Sequence, residues 1–445
     1  MINPLSSPLL ADLYEYTMLQ SYLEHGMEET AVFEFFVRKL PPGRNYMVAA
    51  GLEQALVFLE NLAFSAEEVD WLAQRFPPPV IHYLKNFRFT GDVHAMQEGT
   101  LFFPNEPILR VTAPLPQAQL VESRLMNLLN FETLIATKAA RSVLTAPDKR
   151  LVDFGLRRAH GAEAGLLAAR ASYLAGFSGT ATVLAGLLYD IPVFGTMAHS
   201  FVQAHDDEAL AFEHFARSHP SNTTLLIDTY DTEAAASKVV LLAPKLRAQG
   251  IKIKAVRIDS GDLAEHARRV RRILDQGGLS DVTIFASGSL DEYQLHAMLS
   301  SGAPIDGFGI GTALDTSSDA PALDCAYKLQ EYAGRPRRKR SEGKATWPGR
   351  KQVYRTYTSD GQMAGDVLAL AEHDTQQGEA LIHPVMRAGC RVQAQDPLKA
   401  MRQRTLAEYT RLPETLRGLD TGPAYCVEVS SALQELAGKV DRGEL

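Results

Sequence analysis

The sequence predicts an α/β protein whose middle part is a parallel barrel, irregular and incomplete. Three observations point there. Between residues 151 and 311 short apolar runs alternate with helix-like stretches, which is the signature of βαβ units. Each run ends in polar or glycine-rich residues, as strands do where an α/β barrel carries its chemistry. The length, 445 residues, suits two domains when one of them is a large barrel.

The elements follow in order. Residues 11–24 have helical spacing, and Ala31–Val37 (AVFEFFV) reads as a strand. GRNYMVAAGLEQALVFLENL reads as a loop entering a helix. Phe87–Thr112 carries short β-like runs cut by Gly91, Gly99, Pro104 and Pro107, so a small antiparallel sheet is expected. A long helical period covers 117–143. These elements set an N-terminal α/β domain at 1–130. The barrel is expected at 131–324, with strands LVDFG (151–155), IPVFGT (191–196), TLLID (224–228), KAVRIDSG (254–261), VTIFASG (282–288) and APIDGFGIG (303–311). Segment 325–445 opens on a basic, turn-rich stretch (335–352) read as an exposed loop. Short β runs at Gln352–Tyr357 and Leu381–Arg387 and a polar helical tail follow.

Composition excludes several classes. Lys and Arg number 45 and Asp and Glu 53, a net charge of −8, which argues against a general nucleic-acid binder. Cys325, Cys390 and Cys426 lie too far apart for a disulfide framework or a zinc pattern, so a reducing, cytoplasmic setting is expected. The N-terminus lacks the basic and apolar regions of a signal peptide. The most apolar stretch, Gly165–Gly195, is dense in small residues and reads as helix buried against a sheet rather than as a membrane span.

The strand ends bring six polar clusters to one mouth: Asp153–Arg157, Thr196–His199, Asp228–Asp231, Arg257–Asp262, Ser287–Ser289 and Gly307–Thr312. DGFGIGTAL (306–314) is a glycine turn that could bind phosphate or simply turn the chain. Its spacing is not a dinucleotide fingerprint. The acids of IDTYDT (227–232) and RIDSGD (257–262) could hold ribose hydroxyls, hold Mg²⁺ through water or act as a base. They could equally cap helices. In DFGLRRAHG, Phe154 could stack on a planar ring and Arg157 could pair with an anion, or they are a core Phe and a surface Arg. His199 and His205 do not have the spacing of a helical metal pair. Arg335–Arg340 resembles a localisation or nucleic-acid patch, but in an acidic protein it reads rather as a solvated loop or, with Lys344, Arg350 and Lys351 beyond, as one that closes over a polyphosphate.

Seven motifs stand in one order: DLYEYTM, DFGLRRAHG, SGTATVLAG, GTMAHSF, IDTYDT, RIDSGDL and GFGIGT. Together they resemble the nicotinate phosphoribosyltransferase family over nearly the whole chain. The resemblance implies an incomplete α/β barrel of the type II phosphoribosyltransferase kind, and a second α/β domain built from both chain ends. It implies joining of nicotinate to 5-phosphoribosyl 1-pyrophosphate, giving nicotinate mononucleotide and pyrophosphate. It further implies Mg²⁺ and coupling to ATP hydrolysis through a phosphohistidine at His199.

By the same resemblance Arg257 and Asp259 join His199 as catalytic candidates. Phe154 and Tyr14, the latter from a neighbouring copy in a homodimer, would sandwich the pyridine ring. Arg157 and Arg257 would face its carboxylate or the phosphates, and Asp228 the sugar or metal. Thr180 and Ser260 belong to the same motifs as substrate-binding candidates. Gly288, Gly309, Gly311 and Thr312 would cradle the 5-phosphate, and Lys328, Lys344 and Lys351 would contact pyrophosphate. The related nicotinamide-specific enzymes carry an Asp where this chain has Ala181. An Asp there would repel a carboxylate, so Ala181 favours nicotinate. Rival expectations are a nicotinamide or quinolinate phosphoribosyltransferase, or another phosphate-binding barrel such as an aldolase. No nucleic-acid or membrane partner is expected.

Overall fold

The computed structural model describes residues 5–372 and 377–444. The chain divides into two compact units, one of Met1–Thr137 with Ala320–Leu445 and one of Lys138–Asp319. The sequence pattern places these divisions near 130 and 324, a few residues from where they fall. The first unit draws on both chain ends, because its central strand Thr30–Val37 takes one neighbour from each. Pro107–Pro114 pairs on one side and Cys325–Tyr332 on the other, both antiparallel. Seven of that strand's eight residues are buried, which is why it reads as a continuous apolar run rather than an alternating one. The sheet has seven strands, and a separate four-stranded sheet is built from 351–429.

The second unit holds a six-stranded sheet. Its strands are β1 (Arg150–Asp153), β2 (Gly179–Thr180), β3 (Thr223–Leu226), β4 (Ile253–Ile258), β5 (Thr283–Ser287) and β6 (Gly307–Ile310), in the order β2-β1-β6-β5-β4-β3. Every pair is parallel, and the sheet curls into a half-barrel. Parallel pairing aims all six carboxyl ends the same way, so the residues after each strand share one rim.

Two expectations fail within this unit. IPVFGT (191–196) is not a strand: Val193 makes a single bridge to Thr180. The place beside β1 goes to Gly179–Thr180, and the segment meets Thr180 through the Pro192 carbonyl, which accepts from the Thr180 N–H at 3.1 Å, and the Phe194 N–H, which donates to the Thr180 carbonyl at 2.9 Å. The apolar stretch Gly165–Gly195 is also not uniformly buried. Helix Ala162–Leu174 buries every residue from Leu167 to Leu174, whereas helix Val183–Tyr189 buries only Ala185 and exposes Val183, Leu184, Leu187 and Leu188. No helix among the described residues is long and apolar enough to cross a membrane.

Candidate active site

The acidic motifs divide by role. Asp231 and Asp262 cap helices, accepting from the backbone N–H groups of Ala234 at 2.7 Å and Glu265 at 3.0 Å. Asp228 and Asp259 cap nothing and join a cluster at the ends of β3, β4 and β5. Asp228 Oδ2 accepts from the Asp259 N–H at 2.9 Å and from the Ser260 hydroxyl at 2.6 Å. Its Oδ1 is buried and takes no donor among the described residues.

Arg257 is the hub. Its Nε donates to Ser287 at 2.8 Å, Nη1 to Thr196 at 3.3 Å and Nη2 to Asp259 at 2.8 Å. Ser287 in turn donates to Asp259 Oδ1. Burial pushes the Asp259 carboxyl up, but the Ser287 hydroxyl and the Arg257 guanidinium outweigh it and hold Asp259 below its ordinary value. Asp259 therefore stays ionised at neutral pH. His199 opens a one-turn helix. Its Nδ1 lies 3.1 Å from the Thr229 hydroxyl and its Nε2 faces Asp259 Oδ2 at 3.9 Å.

The Arg257 guanidinium lies 5.3 Å from the centre of the Phe154 ring, so a cation and an aromatic face are presented together. Gly309 makes this possible. An added Cβ there would sit 2.5 Å from the Phe154 ring, so only glycine lets the ring rest on β6. Arg157 is exposed on the loop beyond Phe154, and Ala181, Gly288 and Thr312 are exposed at the same rim.

Several expected residues fall elsewhere. Thr180 does not face a ligand: it is fully buried, and its hydroxyl donates to Asp153 at 2.6 Å. Lys351 is not a pyrophosphate contact. It is 3% exposed, pairs with Glu34 at 2.7 Å and donates to the carbonyls of Trp347 and Gly349. An ammonium sealed among those partners has no proton left to offer a substrate. Lys328, half-exposed, pairs with Glu122 at 3.3 Å, and Lys344 is exposed. Tyr14 is half-exposed on helix Leu13–Glu24, and burial and nearby Glu122 push its phenol up. These four residues all belong to the first unit.

Reading the motifs missed Thr196, Thr229 and Ser287 as partners of Arg257 and His199. Each lay inside or beside a quoted motif, and a strand-end hydroxyl beside a charged residue was the available signal.

Charged and aromatic groups gathered at the carboxyl ends of parallel strands define an α/β-barrel enzyme. Comparison with known proteins makes the class specific. Residues 9–130 match the nicotinate phosphoribosyltransferase N-terminal domain, and residues 149–357 match the nicotinate phosphoribosyltransferase family. The chain is 48% identical over 430 residues to nicotinate phosphoribosyltransferase pncB2 of Mycobacterium tuberculosis, covering 96% of this chain and 92% of that one. It is 41% identical over 392 residues to the nicotinate phosphoribosyltransferase of Bacillus subtilis, covering 85% and 80%. The crystal structure of human nicotinic acid phosphoribosyltransferase superposes with a TM-score of 0.86 at 29% identity, covering 96% and 99%. The chain belongs to the nicotinate phosphoribosyltransferase family.

Proposed function

We propose that this enzyme transfers the phosphoribosyl group of 5-phosphoribosyl 1-pyrophosphate to nicotinate, releasing pyrophosphate, and couples the transfer to ATP hydrolysis through phosphorylation of His199. The observation that carries the reading is the Arg257 hub, which sets a fixed guanidinium, an ionised Asp259 and His199 beside an aromatic face. Phe154 offers that face to the pyridine ring, and Arg257 offers its charge to the ring's carboxylate or to phosphate. The ring nitrogen attacks the ribose C1 with its own lone pair as the bond to pyrophosphate breaks, so no base is required. The chain's task is orientation and the stabilisation of charge on the leaving group.

Ala181, exposed at the rim, leaves no carboxylate to repel nicotinate. Gly288, Gly311 and Thr312, at the ends of β5 and β6, suit a 5-phosphate, whereas Gly309 is buried within β6 beneath the Phe154 ring and serves that ring instead. Among the described residues no three His, Cys, Asp or Glu gather to hold a metal. The open Asp228 Oδ1 does suit Mg²⁺ that takes most of its oxygens from substrate phosphates, where it would neutralise the leaving pyrophosphate. With Nδ1 engaged by Thr229, His199 has Nε2 free as the phosphate acceptor, beside a carboxylate that stabilises the imidazolium. The exposed apolar residues of helix Val183–Tyr189, two residues beyond Ala181, support a homodimer that covers them and brings Tyr14 of a second copy to the ring.

The test is a product assay with nicotinate, nicotinamide and quinolinate, each with the ribosyl donor and Mg²⁺, with and without ATP. Nicotinate should give product, and ATP should raise its rate in the native enzyme but not in His199→Ala, which keeps slow transfer. Product from another pyridine alone, or unchanged ATP stimulation in the variant, would overturn the corresponding part.

A further inference from the structure

Beneath the rim two acids meet that the reaction above does not use. Asp153 ends β1 and is fully buried. Asp315 ends the one-turn helix Thr312–Asp315 and is 1% exposed. Asp153 is served by two donors, the Gly155 N–H on Oδ1 at 2.7 Å and the Thr180 hydroxyl on Oδ2 at 2.6 Å. Asp315 receives no donor on either oxygen among the described residues. The Asp315 carboxyl packs against Gly155, the residue whose N–H serves Asp153, so the two acids lie side by side and the Asp153 charge acts on Asp315. Like charges side by side away from water cannot both persist. One proton therefore lies between them. Asp153 already accepts twice and Asp315 not at all, so the proton sits on Asp315. Burial and the adjacent Asp153 push Asp315 well above the usual carboxylate range. The fit has no slack: a Cβ on Gly155 would lie 2.0 Å from the Asp315 carboxyl carbon.

The pair stands at a junction of three site segments. The Asp153 carbonyl accepts from the Ala181 N–H at 2.8 Å, and the next residue, Phe154, donates its N–H to the Ile310 carbonyl at 2.8 Å. The Asp315 N–H donates to the Gly311 carbonyl at 3.1 Å. The two acids thus stand where the loop carrying Phe154, the Thr180–Ala181 turn and the Gly311–Thr312 turn meet.

We propose that Asp315 is a positioning residue, a neutral acid whose proton, donated to Asp153, locks these three segments in one geometry. It does so without setting a second negative charge beneath a mouth that admits two anionic substrates. The proposal rests on the reading that Phe154 stacks on the pyridine ring and the glycine turn holds phosphate.

The test compares three variants. Asp315→Asn keeps a donor aimed at Asp153, and its kcat/KM for nicotinate should stay within about threefold of the native enzyme. Asp315→Ala removes the donor and should lower kcat/KM at least about tenfold, chiefly through KM. Asp153→Asn must turn an N–H₂ toward Gly155 or Thr180, and should fall as far as Asp315→Ala. Infrared spectroscopy of the ligand-free enzyme should show a protonated carboxyl C=O stretch that Asp315→Asn lacks. That band is independent of substrate, so it tests the proton even if the assignment of the reaction fails. If Asp315→Ala does not fold, the ranking of the two amides and the band still decide. No band lost in Asp315→Asn, or Asp315→Asn no better than Asp153→Asn, overturns the proposal.

Discussion

Each unit contains an arginine–aspartate pair, and the two pairs are built for opposite ends. In the first unit Arg355 and Asp366 are both wholly buried. They meet bidentately at 2.9 and 2.6 Å, with Glu408 on a third nitrogen at 3.3 Å and the Tyr425 hydroxyl on Asp366 at 3.0 Å. Glu106, also buried, is pushed well above the usual carboxylate range by burial and the neighbouring Asp366. In the second unit Arg257 spreads single bonds over Ser287, Thr196 and Asp259, and the Arg257 and Asp259 side chains remain 14% and 30% exposed. The first pair is closed on all sides and can only hold the fold together. The second has the same chemistry with its face left open, so an anionic substrate can join it. Opening the cluster, rather than charging it, is what separates a site from a strut.

The comparison breaks most visibly at the two arginines. Arg355→Ala strands buried acids without a counter-charge and should cost about 3–5 kcal/mol of stability, read as a fall in the chemical denaturation midpoint. Arg257→Ala should lower kcat/KM roughly 100–1,000-fold while that midpoint barely moves. If Arg257→Ala unfolds the protein as Arg355→Ala does, the open cluster is a strut after all.

A smaller effect sharpens the same contrast within the mouth. Phe154 presents its ring beside Arg257 but makes no hydrogen bond through its side chain. Phe154→Ala should therefore raise the KM for nicotinate about tenfold and leave the KM for the ribosyl donor nearly unchanged. Equal changes in both would remove the stacking role.

How much of this was legible in the sequence follows from the same distinction. Strand positions were readable where a parallel strand is buried on both faces, as at TLLID and VTIFASG. They failed at IPVFGT, where apolar composition looks like a strand but the segment adds a single bridge to Thr180 rather than a ladder. The site's charged residues were readable because motif order carried them. Which acid caps a helix and which joins the strand-end cluster was not, since Asp228 and Asp231 lie three residues apart and only geometry separates them. Lys351 reads as one more cation in a basic run, and nothing local reveals that Glu34, 317 residues away, holds it in the core. The sequence places Asp153 at the mouth but does not pair it with Asp315, for the same reason: a contact between residues 162 apart leaves no local pattern.

The smallest expected effect concerns an acid that is closed in without a cation. Glu15 accepts from the Ser123 N–H at 2.8 Å and from its hydroxyl, yet burial outweighs both and pushes its pKa up to about 7. Unfolded, the same group titrates near 4.5, so the folded chain binds its proton more tightly. The stability this supplies is fully present below about pH 4.5 and is lost as the pH rises through about 7. Glu15→Gln stays neutral and can still accept both Ser123 bonds. It should match the native enzyme near pH 5 and exceed it by about 1–2 kcal/mol at pH 8, measured by urea unfolding across that range. Glu34 is buried as deeply but has Lys351, so Glu34→Gln should destabilise the protein at both pH values. A Glu15→Gln difference that is flat with pH would mean that Ser123 suffices to keep Glu15 ionised, and that an enclosed acid needs only hydrogen bonds, not a counter-charge.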